Sequence, residues 1–266
     1  MKVLDHATLS IQNGRTSNDD RAMSLILERA GETDAVTALF AVFDGMGGNN
    51  QYNPEAGRFS SRFAEQALCK ELLPFLAELG YQAEPVSEKT VHRTLSGALM
   101  HTDQMLYQRG TFGTTASLAL ITGNMLYCTN VGDSPVCLLR RKSETETTVF
   151  RLYEQQNNAG FGMPDGWPDE AELERQKRIG GSHVLRHSVG GGDVQNCPLF
   201  SETLMQGDIL LLGSDGALAH FTREELCDAA NAALDMQNLV TTLRRKAAAE
   251  KQESDNLTLI AVQFGA

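Results

Sequence analysis

No apolar run in this sequence approaches the ~20 residues that a membrane-spanning helix needs; even "ILLLG" at Ile209 to Gly213 and "LIAVQF" at Leu259 to Phe264 fall far short. Basic residues are in the minority. The chain has 23 Lys and Arg against 34 Asp and Glu, a formal net charge of −11, and a field of that sign repels nucleic acid and anionic membrane surfaces. Five cysteines (Cys69, Cys128, Cys137, Cys197, Cys227) are odd in number and form no C-x-x-C pair. That excludes a disulfide framework and a zinc site of the usual spacing and leaves them as small hydrophobes, with Cys128 and Cys137 expected to face each other across a hairpin. Asp5 and His6 interrupt the start of the chain where a secretory leader would be apolar, so a cytoplasmic location is expected. There is no internal repeat and no low-complexity linker.

What is present is ordinary globular composition: 266 residues, 41% hydrophobic and 21% charged, enough for one domain over 1–266. Runs rich in β-branched and aromatic residues predict strands at Val3–Ile11, Ala22–Leu27, Val36–Phe43, Thr115–Ile121, Met125–Asn130, Val136–Arg140, Thr147–Leu152, Ile209–Gly213 and Leu257–Phe264. Asn53 and Pro54 suit the start of a helix running to about Leu72, with Pro74 ending or kinking it. A second helix is predicted over Ser87–Gln108 from apolar residues at Val91, Leu95, Leu99 and Leu106. Two more are expected at Arg223–Leu234 and Gln237–Glu250. Between Tyr153 and Gln195 the periodicity fades and Gly, Pro and charge accumulate, which marks a functional or irregular connection. Strand runs broken by helix runs predict an α+β fold, a four-layer α-β-β-α sandwich of two antiparallel sheets flanked by helices.

One pattern recurs. An apolar run ends in Asp plus a small residue at Asp44-Gly45, Asp133-Ser134 and Asp215-Gly216, and another begins just after Asp255. A single strand-end Asp is a turn residue. Several brought to one end of a sandwich would repel strongly unless a cation neutralised them. Oxygen-only donors select hard ions such as Mg²⁺ or Mn²⁺, and a pair of these favours phosphate-ester hydrolysis. "GRTSNDDR" adds Asp19 and Asp20 beside Arg15 and Arg21, and arginine is the natural fork for phosphate.

With these segments in order, "GRTSNDDR" (14–21), "AVFDGMGG" (41–48), "EAGRFSS" (55–61), "GTTASLALI" (113–121), "NVGDSP" (130–135), "HVLRHSVGG" (183–191), "DILLLGSDG" (208–216) and "SDNLTLIAV" (254–262), the chain resembles the metal-dependent type 2C Ser/Thr protein phosphatases in their bacterial form. The resemblance implies a phosphatase for phosphoserine and phosphothreonine that works through a metal-bridging water or hydroxide. Two Mn²⁺ or Mg²⁺ ions would sit at one end of the sandwich, with a weaker third. Asp44 would bridge the pair, the carbonyl of Gly45 would ligate one ion, and Asp215, Asp255 and Asp20 would serve the metal site. Asp19 and Asn256 would act from behind it. Arg15 would grip the substrate phosphate, and Asp133 with Asp215 would form the third site. Phosphoproteins are the implied substrates, a cognate Ser/Thr kinase the implied partner, and a monomer the expected state.

The chain also departs from that pattern. Asp19 stands where Glu is common, Met46 where eukaryotic members carry a candidate acid histidine, and Pro135 where Arg is usual. His183 and His187 invite an acid role, although a lone His on a Gly-flanked strand reads more readily as structural. Residues 153–195 should be the flap, and Trp167 there either packs it or meets substrate. Arg140, Arg141 and Lys142 read as a solvated hairpin tip. The alternatives are a pseudophosphatase acting as an interaction module and a small-phosphoester hydrolase.

Overall fold

The computed structural model describes residues 1–27, 36–46, 55–81, 85–110, 113–143, 146–160, 166–179, 184–195, 197–250 and 255–265. Asn53, Pro54, Gly47, Gly48 and His183 lie outside the described residues. Among the described residues ten strands form two five-stranded antiparallel sheets. One has the order β1 (Lys2–Ile11), β10 (Leu257–Gly265), β9 (Ile209–Gly213), β6 (Val136–Arg141), β7 (Thr147–Arg151). The other has β2 (Arg21–Leu27), β3 (Thr37–Phe43), β4 (Ala116–Thr122), β5 (Met125–Val131), β8 (Phe200–Thr203). Helices α1 (Ala56–Tyr81) and α2 (Glu88–Tyr107) cover the β2–β8 sheet, while α5 (Arg223–Ala232) and α6 (Met236–Glu250) cover the other. This is the four-layer sandwich expected.

The layering follows from side-chain period. Every residue of β3 is buried; Ala38, Phe40 and Val42 enter the core between the sheets, and Leu39, Ala41 and Phe43 meet the α1–α2 layer. A strand apolar on both faces belongs in the middle of such a stack. Ser87 caps α2 by accepting from the Thr90 N–H at 3.2 Å, and Thr222 and Glu225 form a capping box on α5, as the T-x-x-E spacing favours.

Several expectations are corrected. Helix α1 continues through Pro74 to Tyr81, because Pro74 lies on the exposed face, where the carbonyl it leaves unbonded can meet water, while Leu72, Leu76 and Leu79 keep the buried stripe going. Strands β4 and β5 belong to one sheet and β6 and β7 to the other. The chain crosses between sheets at Gly132–Pro135, so Cys128 and Cys137 lie in different sheets and meet the common core rather than a hairpin. The short edge strand β8 and helices α3 (Glu170–Ile179) and α4 (Asp215–Leu218) were not anticipated; α3 buries only Leu173 and Gln176, too few for a readable stripe. Arg140 is no solvated tip. Its side chain, 13% exposed, donates to both carboxylate oxygens of Asp208 (3.0 and 2.7 Å) and lies over Phe150. Trp167 is buried and donates to the Phe221 carbonyl at 2.9 Å, which makes it a packing residue. Strand β6 begins one residue after Pro135, whose carbonyl accepts from Gly213. Among the described residues no helix is long and apolar enough to cross a membrane.

Candidate functional site

Strand register brings the carboxylates to one end of both sheets. Arg21 pairs with Phe43, so Asp20, just before β2, and Asp44, just after β3, stand side by side. Leu259 pairs with Gly213, which sets Asp255 and Asn256 beside Ser214 and Asp215. Ala116 pairs with Val131, which levels Asp133 with Thr114 and Thr115. Five of the sequence-predicted aspartates thus come from different strand ends to one place, and Asp19 joins them through the loop after β1.

Hydrogen bonds and close packing fix several of them. The Asp44 N–H donates to Thr115 Oγ1 at 2.9 Å, and the Asp44 carbonyl accepts from the Thr115 N–H and Thr114 Oγ1, both 2.9 Å. Gly45 must be glycine: a Cβ there would sit 2.3 Å from the Gly57 carbonyl oxygen and 2.6 Å from that of Asp19. Gly57, in the first turn of α1, meets the same limit against Gly45 and Asp19 Oδ2, so the start of α1 is pressed against the site. Asn256 ties the loop after β1 to the start of β10. Its Nδ2 donates to the carbonyls of Gln12 (2.7 Å) and Ser17 (2.8 Å), and its Oδ1 accepts from the Asp19 N–H at 2.9 Å. Asp133 accepts from Asn157 Nδ2 at 2.7 Å.

The electrostatics are those of crowded like charges. Burial, then the neighbouring Asp20, Asp215, Asp255 and Asp133, push the Asp44 carboxyl well above its ordinary range. Asp20 is 1% exposed. Burial raises it to about 7, with Asp215 and Asp255 adding to the rise and the hydroxyls of Ser214 and Thr258 opposing it. Its Oδ2 is buried with no hydrogen-bond partner. Arg15 offers the counter-charge: its Nε donates to Asp255 Oδ1 at 3.0 Å, and Asp44 and Asp215 also hold it charged. Among the described residues no three His, Cys, Asp or Glu side chains close on one point as a finished metal cage. The donor set nonetheless fits a hard cation, since it is all oxygen, crowds more carboxylates together than Arg15 can offset and leaves one carboxylate oxygen orphaned in the interior.

Neither His187, weighed as an acid but read more readily as structural, nor Met46, which stands where an acid histidine would be, supplies a proton donor at the site. His187 is half exposed and pairs with Asp193 at 3.2 Å on no strand, and the Met46 N–H donates to the Gly113 carbonyl at 2.9 Å while its side chain offers no proton. Sequence reasoning missed Asp103. Fully buried in α2, it accepts from the N–H groups of Gly190 (2.7 Å), Gly192 (3.0 Å) and Val194 (3.4 Å), and so anchors the segment whose Val189 pairs with Thr114. An Asp in the stripe of Leu95, Leu99 and Leu106 was the available signal.

Comparison with known proteins agrees with this picture. The family model described as "Protein phosphatase 2C" matches residues 5–153. The human integrin-linked kinase-associated serine/threonine phosphatase 2C is 25% identical over 86% of this chain, which spans 63% of that relative's length. Protein phosphatase PhpP of Streptococcus pneumoniae is 28% identical, covering 94% of this chain and 93% of its own. In fold, the S. agalactiae serine/threonine phosphatase superposes with a TM-score of 0.75 at 18% identity over 98% of this chain and 99% of that one. The catalytic domain of the phosphatase PstP, solved in complex with two manganese ions, gives 0.67 at 20% identity over 99% of each.

Proposed function

Because the chain belongs to the protein phosphatase 2C family, we propose that it is a metal-dependent phosphoprotein phosphatase, one domain over 1–266, that hydrolyses phosphoserine and phosphothreonine. The observation that carries this reading is the gathering of aspartates from separate strand ends around one arginine, with the buried Asp20 Oδ2 left unbonded. Asp44, the Gly45 carbonyl, Asp215, Asp255 and Asp20 would hold two divalent ions, Mn²⁺ or Mg²⁺, with Asp133 and Asp215 offering a weaker third position. When bound, such ions acidify a water molecule and neutralise charge on the phosphoryl oxygens.

The chain's own residues do the rest. Arg15, 38% exposed, lies where a phosphate dianion can reach it, and the bond from its Nε to Asp255 orients the remaining guanidinium donors. Asn256 keeps Arg15's loop and Asp255 in one unit. Thr114 and Thr115 keep Asp44 from turning away. A thiol route is disfavoured: Cys128 and Cys137 are wholly buried in the core, Cys197 nearly so, and burial raises all three. Phosphoproteins made by a Ser/Thr kinase would supply the substrate, and a monomer suffices.

The test is hydrolysis of a phosphothreonine peptide and of p-nitrophenyl phosphate by purified protein, titrated with Mn²⁺, Mg²⁺ and EDTA. Turnover that requires metal supports the reading; folded protein inactive with every metal overturns it in favour of an interaction module. Arg15→Ala should raise KM for the phosphopeptide about tenfold, and an unchanged KM would move phosphate binding to another residue.

A further inference from the structure

The first turns of α1 carry a cationic and aromatic face beside the site. Phe59 is 43% exposed and stacks on Phe63 with ring centroids 6.1 Å apart. Arg109, just beyond α2, lies over the Phe63 ring at 4.6 Å. Arg58 and Arg62 are exposed on the same helix one turn apart, and Arg62 and Arg21 both act on Glu65. Of the carboxylates here, Glu55 pairs with Arg58 at 3.5 Å and Glu65 is half-buried. On the face itself three arginines, Arg58, Arg62 and Arg109, thus stand against the two carboxylates Glu55 and Glu65, on a molecule of net charge −11.

Three links fix this face to the site. Gly57 packs on Gly45 and Asp19, Arg21 follows Asp20 in the chain, and Arg109 lies four residues before Gly113, which holds Met46. At ~1.5 Å per helical residue, Phe63 is ~9 Å along the axis from Gly57, the reach of about three residues of extended peptide.

Resting on the phosphatase reading, we infer that this face, Arg58, Phe59, Arg62, Phe63 and Arg109, docks the phosphoprotein segment next to the phosphoresidue and selects segments with acidic residues about three positions away. The guanidinium groups would take the carboxylates, and the exposed ring would cover the aliphatic stems.

The experiment measures anisotropy of labelled phosphothreonine peptides whose flanking positions are Glu, Gln or Lys, on wild-type protein and on Arg58→Glu/Arg62→Glu, with Phe59→Ala as a second variant and circular dichroism to verify folding. Wild type should bind the Glu peptide about tenfold more tightly than the Gln peptide, as two partly exposed charge pairs allow. That margin should fall below about twofold in the double variant or at about 0.5 M salt, and Phe59→Ala should weaken the Glu peptide. Equal or undetectable binding of the three peptides, or selectivity that survives charge reversal, overturns the inference. So does displacement of the Glu peptide by a single-stranded oligonucleotide that binds more tightly, which would give the face to nucleic acid. Turnover of the same peptides, normalised to p-nitrophenyl phosphate, separates the two readings: no hydrolysis of any substrate defeats the phosphatase assignment, whereas binding selectivity stands or falls by itself.

Discussion

Asp44 is pushed up by burial and by four neighbouring carboxylates, and Asp44→Asn removes its charge at nearly constant volume. With divalent metal, turnover should fall by at least about a thousandfold, since a ligand charge is gone. In EDTA, the same variant should melt about 2–4 °C higher, because a neutral amide replaces a carboxyl that is buried and crowded by like charges; a lower melting temperature would show that the carboxyl is held by bonds rather than crowded. Asp20 gives the pH counterpart. Its folded value near 7 exceeds the ordinary 3.8, so the folded state retains a proton that the unfolded state releases. The stability linked to that proton is complete below about pH 4 and is lost as pH rises to about 7, up to about 4 kcal/mol in metal-free protein. Urea midpoints in EDTA should fall across that window and flatten in Asp20→Asn. These aspartates were legible in the sequence because each closes or opens an apolar run, a position with a local signature. Asn157 was not: the bond it gives Asp133 depends on a segment folded back from elsewhere, and neither residue's neighbours in sequence announce it.

Among the elements, α2 does two jobs. Its apolar stripe packs on the β2–β8 sheet, and Asp103 in that stripe holds three backbone N–H groups of the 190–194 segment. Asp103→Ala should cost about 3 kcal/mol in urea unfolding, the scale for stranding donors that a charged acceptor satisfied, with Asp103→Asn costing less. A loss under about 1 kcal/mol would mean that water replaces the carboxylate. Long strands and α2 were readable from period alone, while α3 and β8 were not, since one buries a single apolar residue and the other has four residues on an edge. Pro74 misled for a physical reason: the penalty of a helical proline depends on which side of the helix it faces, and periodicity does not weigh that.

At the scale of the molecule, the sequence specified two sheets but not how strands divide between them, because β4–β5 and β6–β7 look alike as hairpins and only the crossing at Gly132–Pro135 separates them. A site shared by both sheets should join them thermodynamically. Saturating Mn²⁺ should raise the melting temperature of the whole fold in one transition, by an amount that grows with the logarithm of metal concentration, and EDTA should reverse it; two separate transitions would mean that the sheets melt independently. Strand β10 pairs β1 on one side and β9 on the other, and Asn256 at its start clasps the loop after β1. During synthesis this has an awkward result. A ribosome that has made residues 1–250 holds most of the aspartates, yet β1 and β9 lack the strand between them and Arg15 lacks Asp255. The nascent chain must wait with open strand edges of unpaired N–H and C=O groups, which invite chaperones, and whatever chemistry the protein performs begins only after β10 emerges.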